Sequence, residues 1–285
     1  MMAVAADLVS ALDLKEVAEN RYRGDSVDSP ERDVVFGGQL IAQLAIAAAK
    51  AGGGKVVRSV HALFARTAVK SKPLEFEVDL LHSGRSVSSA TTTVRQGDRL
   101  CARALVLLAA HDRDLIRHSV AMPRVDPPET LESVIDPFSG RDIRIAGGAD
   151  IMDPDTVGPA ELSVWTRLPG APDDLAIGQG ILAHASASFL IGTAMRLHRG
   201  FGQAAAHDRF STGILGHGIT FHEEFRAGEW ILLVQESPYA GNGCSYGRGQ
   251  AFTRDGRLIA SFSEDSMIRH FPGGQSMDGK KATIL

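Results

Sequence analysis

Cysteine is scarce in this 285-residue sequence: Cys101 and Cys244 are its two cysteines, far apart and outside any CxxC spacing. That excludes a disulfide framework and a cysteine-based zinc site, and it fits a reducing compartment. A strong charge of either sign is missing too. The formal net charge of −4 and pI near 6.2 make no electrostatic case for nucleic acid as a partner. No apolar run reaches the ~18 residues that a membrane helix needs. The opening, Met1 to Leu14, has Asp7 and Asp13 among its apolar residues and no basic segment ahead of them, so it does not read as a secretory signal. No HExxH or paired-His spacing supports a metal, and no G-x-S-x-G elbow supports a serine hydrolase. Gly52-Gly53-Gly54 is not followed by GK[ST] and reads as a helix stop, not a phosphate loop. The expectation from these absences is a soluble, cytoplasmic protein without a metal site.

What is present suffices for a folded core. Hydrophobic residues make up 44% and charged residues 22% of the chain, the ordinary balance of a globular protein. The chief feature is a repeat. Gln39 to Ala51 (QLIAQLAIAAAKA) is apolar almost all round, which marks a buried helix. Strand-like runs follow at Ser59–Arg66, Leu74–His82, Val87–Gln96 and Leu100–Ala109, separated by Ser83-Gly84-Arg85 and Gly97-Asp98. The second half repeats the order. Leu175 to His198 is a helix of small and apolar residues, with strands at Ile219–Phe225, Trp230–Glu236, Ser245–Thr253 and Leu258–Arg269. A short strand precedes each helix, at Asn20–Arg23 and Leu162–Leu168. A helix without a polar face has to be covered, and an antiparallel sheet wrapped round it does so. Two such units joined edge to edge would protect strands that otherwise aggregate. The α+β reading therefore has units at 1–111 and 161–285, with 112–160, rich in Pro, Asp and Gly, as a linker.

Several runs carry a family resemblance. Leu8–Ser26 followed by Val35-Phe36-Gly37-Gly38-Gln39 resembles the opening of acyl-CoA thioesterase II (TesB-like) proteins. His61 and Phe64 in SVHALF, Gly84-Arg85-Ser86 and Gln96-Gly97 continue the match. So do Gly216-His217-Gly218-Ile219-Thr220-Phe221-His222 and Asp255-Gly256-Arg257-Leu258-Ile259-Ala260-Ser261. The match spans nearly all of the chain except the linker. The resemblance implies a double hotdog fold and hydrolysis of fatty acyl-CoA without a cofactor. It also implies a catalytic trio in the second unit: an Asp on the central helix, a Thr or Ser on the next strand and a Gln near the last strand. Together these would orient and activate a water at the thioester carbonyl.

That trio falls on Ala187, Gly218 and Glu264, so all three side chains differ from the pattern. A slip of one residue restores Ser186 or Ser188, and Asp265, but no carboxylate lies between Leu175 and His198. Glu264 is the best replacement base, a role that a carboxyl facing an apolar tunnel can take; a solvated strand end is the plainer reading. His217 and His184 are bases by chemistry, although a lone histidine is more often structural. In the first unit, Gly37 and Gly38 leave backbone N–H groups free at a helix N-terminus, where a thioester oxygen could be polarised. Equally, they permit close packing. Gln39 opens the same helix, and His61 would face the same groove. Arg58, Arg66, Arg85, Arg95, Arg99 and Arg103 suit CoA phosphates or simply a solvated sheet face. A hotdog hydratase would need a DxNPxH-like run, which is missing. Two functions follow: a thioesterase whose catalytic set is Glu264 with His217 or Ser186, and a non-catalytic binder of acyl-CoA or a related thioester. Hotdog units commonly pair further, so a homo-oligomer is compatible with either.

Overall fold

The computed structural model describes residues 8–27, 33–206 and 208–271; the first seven residues of the opening segment lie outside them. Gly37–Ala51 forms helix α1, in which every residue from Gly38 to Ala48 is buried. Burying Leu40, Ile41, Leu44 and Ile46 contributes roughly 1.5–3 kcal/mol each. Positive φ angles at Gly53 and Gly54 turn the chain away after its last residue. Six strands belong to this half: β1 (Lys15–Ala18), β2 (Arg21–Gly24), β3 (Val56–Phe64), β4 (Leu74–Ser83), β5 (Val87–Gln96) and β6 (Arg99–Ala109).

The 112–160 stretch contributes two further strands, β7 (Val134–Ile135) and β8 (Asp142–Ile145), and β8 pairs with β9 (Glu161–Arg167). Met122, Val125 and Leu131 from the same stretch pack on a small outer core of Trp165, Trp230, Leu232 and Phe252. Arg144 and Arg167 lie over the Trp230 ring at 4.8 and 4.3 Å.

The second central helix is broken where the sequence suggested one continuous element. Helix α2 (Leu175–Ser186) begins at Asp174, whose carboxylate accepts from Ile177 N–H at 2.8 Å, and a short α3 (Leu190–Met195) follows. The break has a local cause. Ser186 Oγ bonds back to Ala183 O and Ser188 Oγ to His184 O, so these side chains compete with the helix for its own carbonyls. Leu175–Met195 does have the length and apolarity of a membrane span, contrary to the sequence reading, but 72% of it is buried inside the protein. Strands β10 (Ser211–Phe221), β11 (Ile231–Gly241), β12 (Cys244–Thr253) and β13 (Leu258–Arg269) follow. β10 starts eight residues before the predicted strand, which places His217 and Gly218 within it.

Among the described residues, the thirteen strands form one antiparallel sheet in the order β1-β2-β4-β5-β6-β3-β10-β13-β12-β11-β9-β8-β7. The seam between halves is β3–β10, with His61 opposite Gly218 and Ala62 opposite His217. The outermost strands, β1 and β7, have four and two residues, which keeps the exposed edges short. The helices pack antiparallel under the sheet. A Cβ on Gly180 would meet Ile46 at 2.9 Å, and one on Gly38 would meet His184 O at 2.9 Å. This is the double hotdog, with one continuous core shared by both halves.

Candidate active site

Three side chains from the second half converge beneath the sheet. Ser186 Oγ lies 2.9 Å from His217 Nε2, and His217 Nδ1 lies 3.1 Å from Glu264 Oε2. Ser266 Oγ donates to Glu264 Oε1 at 2.7 Å. The His217 and Glu264 side chains have 0% exposure. His217 and Glu264 are direct partners across β10 and β13, so both project from one face of the sheet. Phe262, Glu264 and Ser266 alternate inward along β13, while a bulge between Ile214 and Gly216 sets the inward phase of β10. Ser186 ends α2 directly below them. With Glu264 as carboxylate it can only accept, so His217 carries its proton on Nδ1 and offers the Nε2 lone pair to the Ser186 hydroxyl. Ala183 O, 3.0 Å from Ser186 Oγ, competes for that proton. The arrangement has the parts of an activated hydroxyl: nucleophile, imidazole base and an orienting carboxylate.

A second buried network holds the break after α2. Arg141 is 1% exposed. It donates to Ser188 Oγ at 2.8 Å, Ser139 Oγ at 3.0 Å and Asp136 Oδ2 at 3.4 Å. Burial opposes ionisation of Asp136, but Arg141, the Ser139 hydroxyl and the Phe138 N–H outweigh it and hold the carboxyl below its usual range. His184 sits beside this network with its ring edge-on to Phe36, 5.1 Å between centroids. Burial, reinforced by Arg141, drops its pKa to about 3 against an opposing pull from Asp136. His184 is thus a neutral packed ring, and its Nδ1 has no hydrogen-bond partner. Nothing in the sequence marked Arg141, Asp136 or Ser139, which lie in the stretch read as a linker. Ser266 was within reach of sequence reasoning, two residues from Glu264 on the same alternating face.

Of the residues singled out from sequence, Glu264, His217 and Ser186 come together and the others do not. Ala187 is the buried residue that caps α2, and it is Ser186 that meets His217. Gly218 points to the opposite face of the sheet, where a Cβ would meet His61 Nδ1 at 2.9 Å. Asp265 also faces outward and is exposed. Glu264 is no solvated strand end. His61 is likewise on the outer face, since its neighbours Val60 and Ala62 take the inward positions. It lines an open groove of about 660 Å³ with Gly218, Ser263 and Arg248, not the groove at α1. Gln39 is committed to its own chain: Oε1 accepts from Val27 N–H at 3.0 Å, and Nε2 donates to Asp25 O and Gln43 Oε1. It fastens the entering segment and has no free group for a ligand. Gly37 and Gly38 serve close packing, because Cβ atoms there would strike Ile214, Phe64, Phe36 and His184 O. Their N–H groups still lack intrahelical acceptors, and they abut the last turn of α2. Among the described residues no three His, Cys, Asp or Glu side chains converge as a metal site requires.

Comparison with known proteins agrees with this layout. Residues 27–109 match the profile described as the acyl-CoA thioesterase N-terminal domain, and residues 156–267 match that of acyl-CoA thioesterase. The chain is 29% identical to acyl-coenzyme A thioesterase 8 of Mus musculus, over 93% of this chain and 89% of that one. It is 28% identical to acyl-CoA thioesterase 2 of Haemophilus influenzae, over 94% and 99% respectively. Among solved structures, a tesB protein of Mycobacterium avium subsp. paratuberculosis superimposes with a TM-score of 0.79 at 25% identity, covering 93% of this chain and 99% of the other. An acyl-CoA thioesterase II, TesB2, of Mycobacterium marinum gives 0.78 at 26%, covering 92% and 98%.

Proposed function

Because the chain belongs to the acyl-CoA thioesterase II family, we propose that it hydrolyses acyl-CoA to a free fatty acid and CoA, with Ser186, His217 and Glu264 as its catalytic set. The observation that carries this reading is the hydrogen-bonded relay: Ser186 to His217 at 2.9 Å, His217 to Glu264 at 3.1 Å. Helix, following strand and last strand each supply one member, the same three elements that hold the trio implied by the family resemblance. Glu264 coincides with one of the implied positions, and Ser186 and His217 each lie one residue before the other two.

Neutral His217 takes the proton of an oxygen nucleophile as that oxygen attacks the thioester carbonyl. Glu264 fixes the ring and stabilises the imidazolium that forms. The displaced sulfur leaves with that proton. In this reading the negative charge that develops on the carbonyl oxygen is met by the N–H groups of Gly37 and Gly38 at the start of α1, which have no intrahelical acceptor. Phe36 is the exposed member of this neighbourhood, edge-on to His184, so the acyl chain enters by displacing its ring. Residues 1–111 and 161–285 act as hotdog units joined by 112–160 in this reading. Two free cysteines suit a reducing cytoplasm, and pairing of copies is checked by light scattering.

The test is thiol release from a panel of acyl-CoAs, with binding followed on the same preparation. Turnover that collapses in Glu264→Gln, while the variant keeps its thermal transition, supports the reading. Tight binding with no thiol release from the wild type sinks it and leaves a carrier of acyl thioesters.

A further inference from the structure

We propose that Ser186 is itself the nucleophile, so that hydrolysis passes through an acyl-serine ester and the protein can also pass the acyl group to alcohols. This rests on the hydrolytic reading above and goes further in naming the attacking atom. Three observations converge on it. Ser186 Oγ already sits 2.9 Å from His217 Nε2, so a water would have to displace the hydroxyl from beside the imidazole before it could be activated there. The relay is sealed: His217 and Glu264 have 0% side-chain exposure and Ser186 is fully buried. Water therefore gains access only when something leaves, and departure of CoA provides that opening. Third, no acidic residue lies from Leu175 to His198, the stretch that holds α2 and α3, so no carboxylate there can hold a water directly; α2 presents a hydroxyl instead.

The steps balance. The Ser186 proton moves to His217 Nε2 while Oγ bonds to the thioester carbon. The C–S bond then breaks, and the sulfur takes that proton from His217 and leaves as CoA thiol. Next a water gives a proton to His217 as its oxygen bonds to the acyl carbon. The C–Oγ bond breaks, Oγ recovers the proton, and the fatty acid departs. An alcohol in place of that water yields an ester by the same sequence. Acyl-CoA and water give fatty acid and CoA, with the enzyme unchanged.

Two measurements on the full chain test this. An alkyl fluorophosphonate should label the wild type at one equivalent, the adduct should map to Ser186, and thiol release should fall in proportion. Labelling should be absent in Ser186→Ala and at least about 100-fold slower in His217→Gln. In the second, rapid mixing of wild type with acyl-CoA in methanol-containing buffer should give methyl ester beside free acid. The ester-to-acid ratio should not change when CoA is replaced by another thiol leaving group, since both products come from one intermediate. Undiminished turnover in the presence of the probe, with no adduct, would overturn the serine step while leaving hydrolysis standing. A ratio that tracks the leaving group would overturn it as well. Neither adduct nor thiol release would remove the hydrolytic reading and this proposal together. Because the labelling and partition readouts need only the wild type, a Ser186→Ala chain that fails to fold does not protect the idea.

Discussion

The two halves of this molecule share one architecture and spend their buried polar groups differently. In the first, the inward residues of β6 are Ala102, Ala104, Val106 and Leu108, hydrocarbon throughout. On β13, its counterpart in the second half, the corresponding wall carries Glu264 and Ser266. Where the first half buries amides, they fasten backbone: Gln39 and Gln43 bond to carbonyls and N–H groups of the entering chain at Ala11, Asp25 and Val27, and Gln96 bonds to the Val69 and Lys72 loop. In the second, the Ser186, His217, Glu264 and Ser266 side chains bond to one another. A fold repeated twice thus holds a fastening in one copy and a reactive relay in the other, which is why the site and not the fold decides the chemistry.

The largest expected effect breaks the second half alone. Glu264→Gln keeps an acceptor for His217 Nδ1 but loses the negative charge behind the imidazolium. We expect kcat to fall on the order of 10³-fold with little change in the unfolding midpoint; a fall below tenfold would strip Glu264 of its role. Next is Arg141→Met, which leaves Asp136 buried without its cation and should cost on the order of 3–5 kcal/mol in urea unfolding. Adding Asp136→Asn should recover part of that loss, and no recovery would mean the pair is not coupled. A third change belongs to the first half. Gln43→Leu leaves the Ala11 carbonyl unpaired and should cost roughly 1–3 kcal/mol, with kcat unchanged in the folded fraction. Were kcat to drop as far as in Glu264→Gln, the contrast between halves would be false.

The smallest effect per unit is a slope. His184 titrates near 6.5 when unfolded and at about 3 in the folded protein. Between those values the unfolded chain binds more protons, so stability falls as pH is lowered through that window and is unaffected by this group above it. The slope is at most about 1.4 kcal/mol per pH unit. His184→Phe should flatten it, and an unchanged slope would assign the loss to Asp136, whose depressed pKa acts in the same direction at lower pH.

Much of this was legible in the chain. Val87–Gln96 and Leu100–Ala109 show their strands through alternation and flanking turns, and Gln39–Ala51 shows its helix through the absence of any polar face. Ser186, His217 and Glu264 were visible as chemistry. Their meeting was not, because the bulge at Ile214–Gly216 shifts the phase of β10 and hides which of His217 and Gly218 faces inward. The break after Ser186 depends on serine side chains bonding to carbonyls one turn back, a choice the apolar pattern around them does not reveal. Arg141 was invisible for a different reason: it reaches the core from an irregular stretch with no periodicity to place it.

The β3–β10 seam has a consequence in time. His61 pairs with Gly218, so when the first half leaves the ribosome its β3 edge has no neighbour until residues beyond 221 have emerged. At roughly 5–20 residues per second that delay is on the order of 5–20 seconds. Through that interval a nine-residue strand, Leu63 at its outer face, stands open to any passing chain. The nascent protein therefore depends on being shielded just where the finished one is continuous.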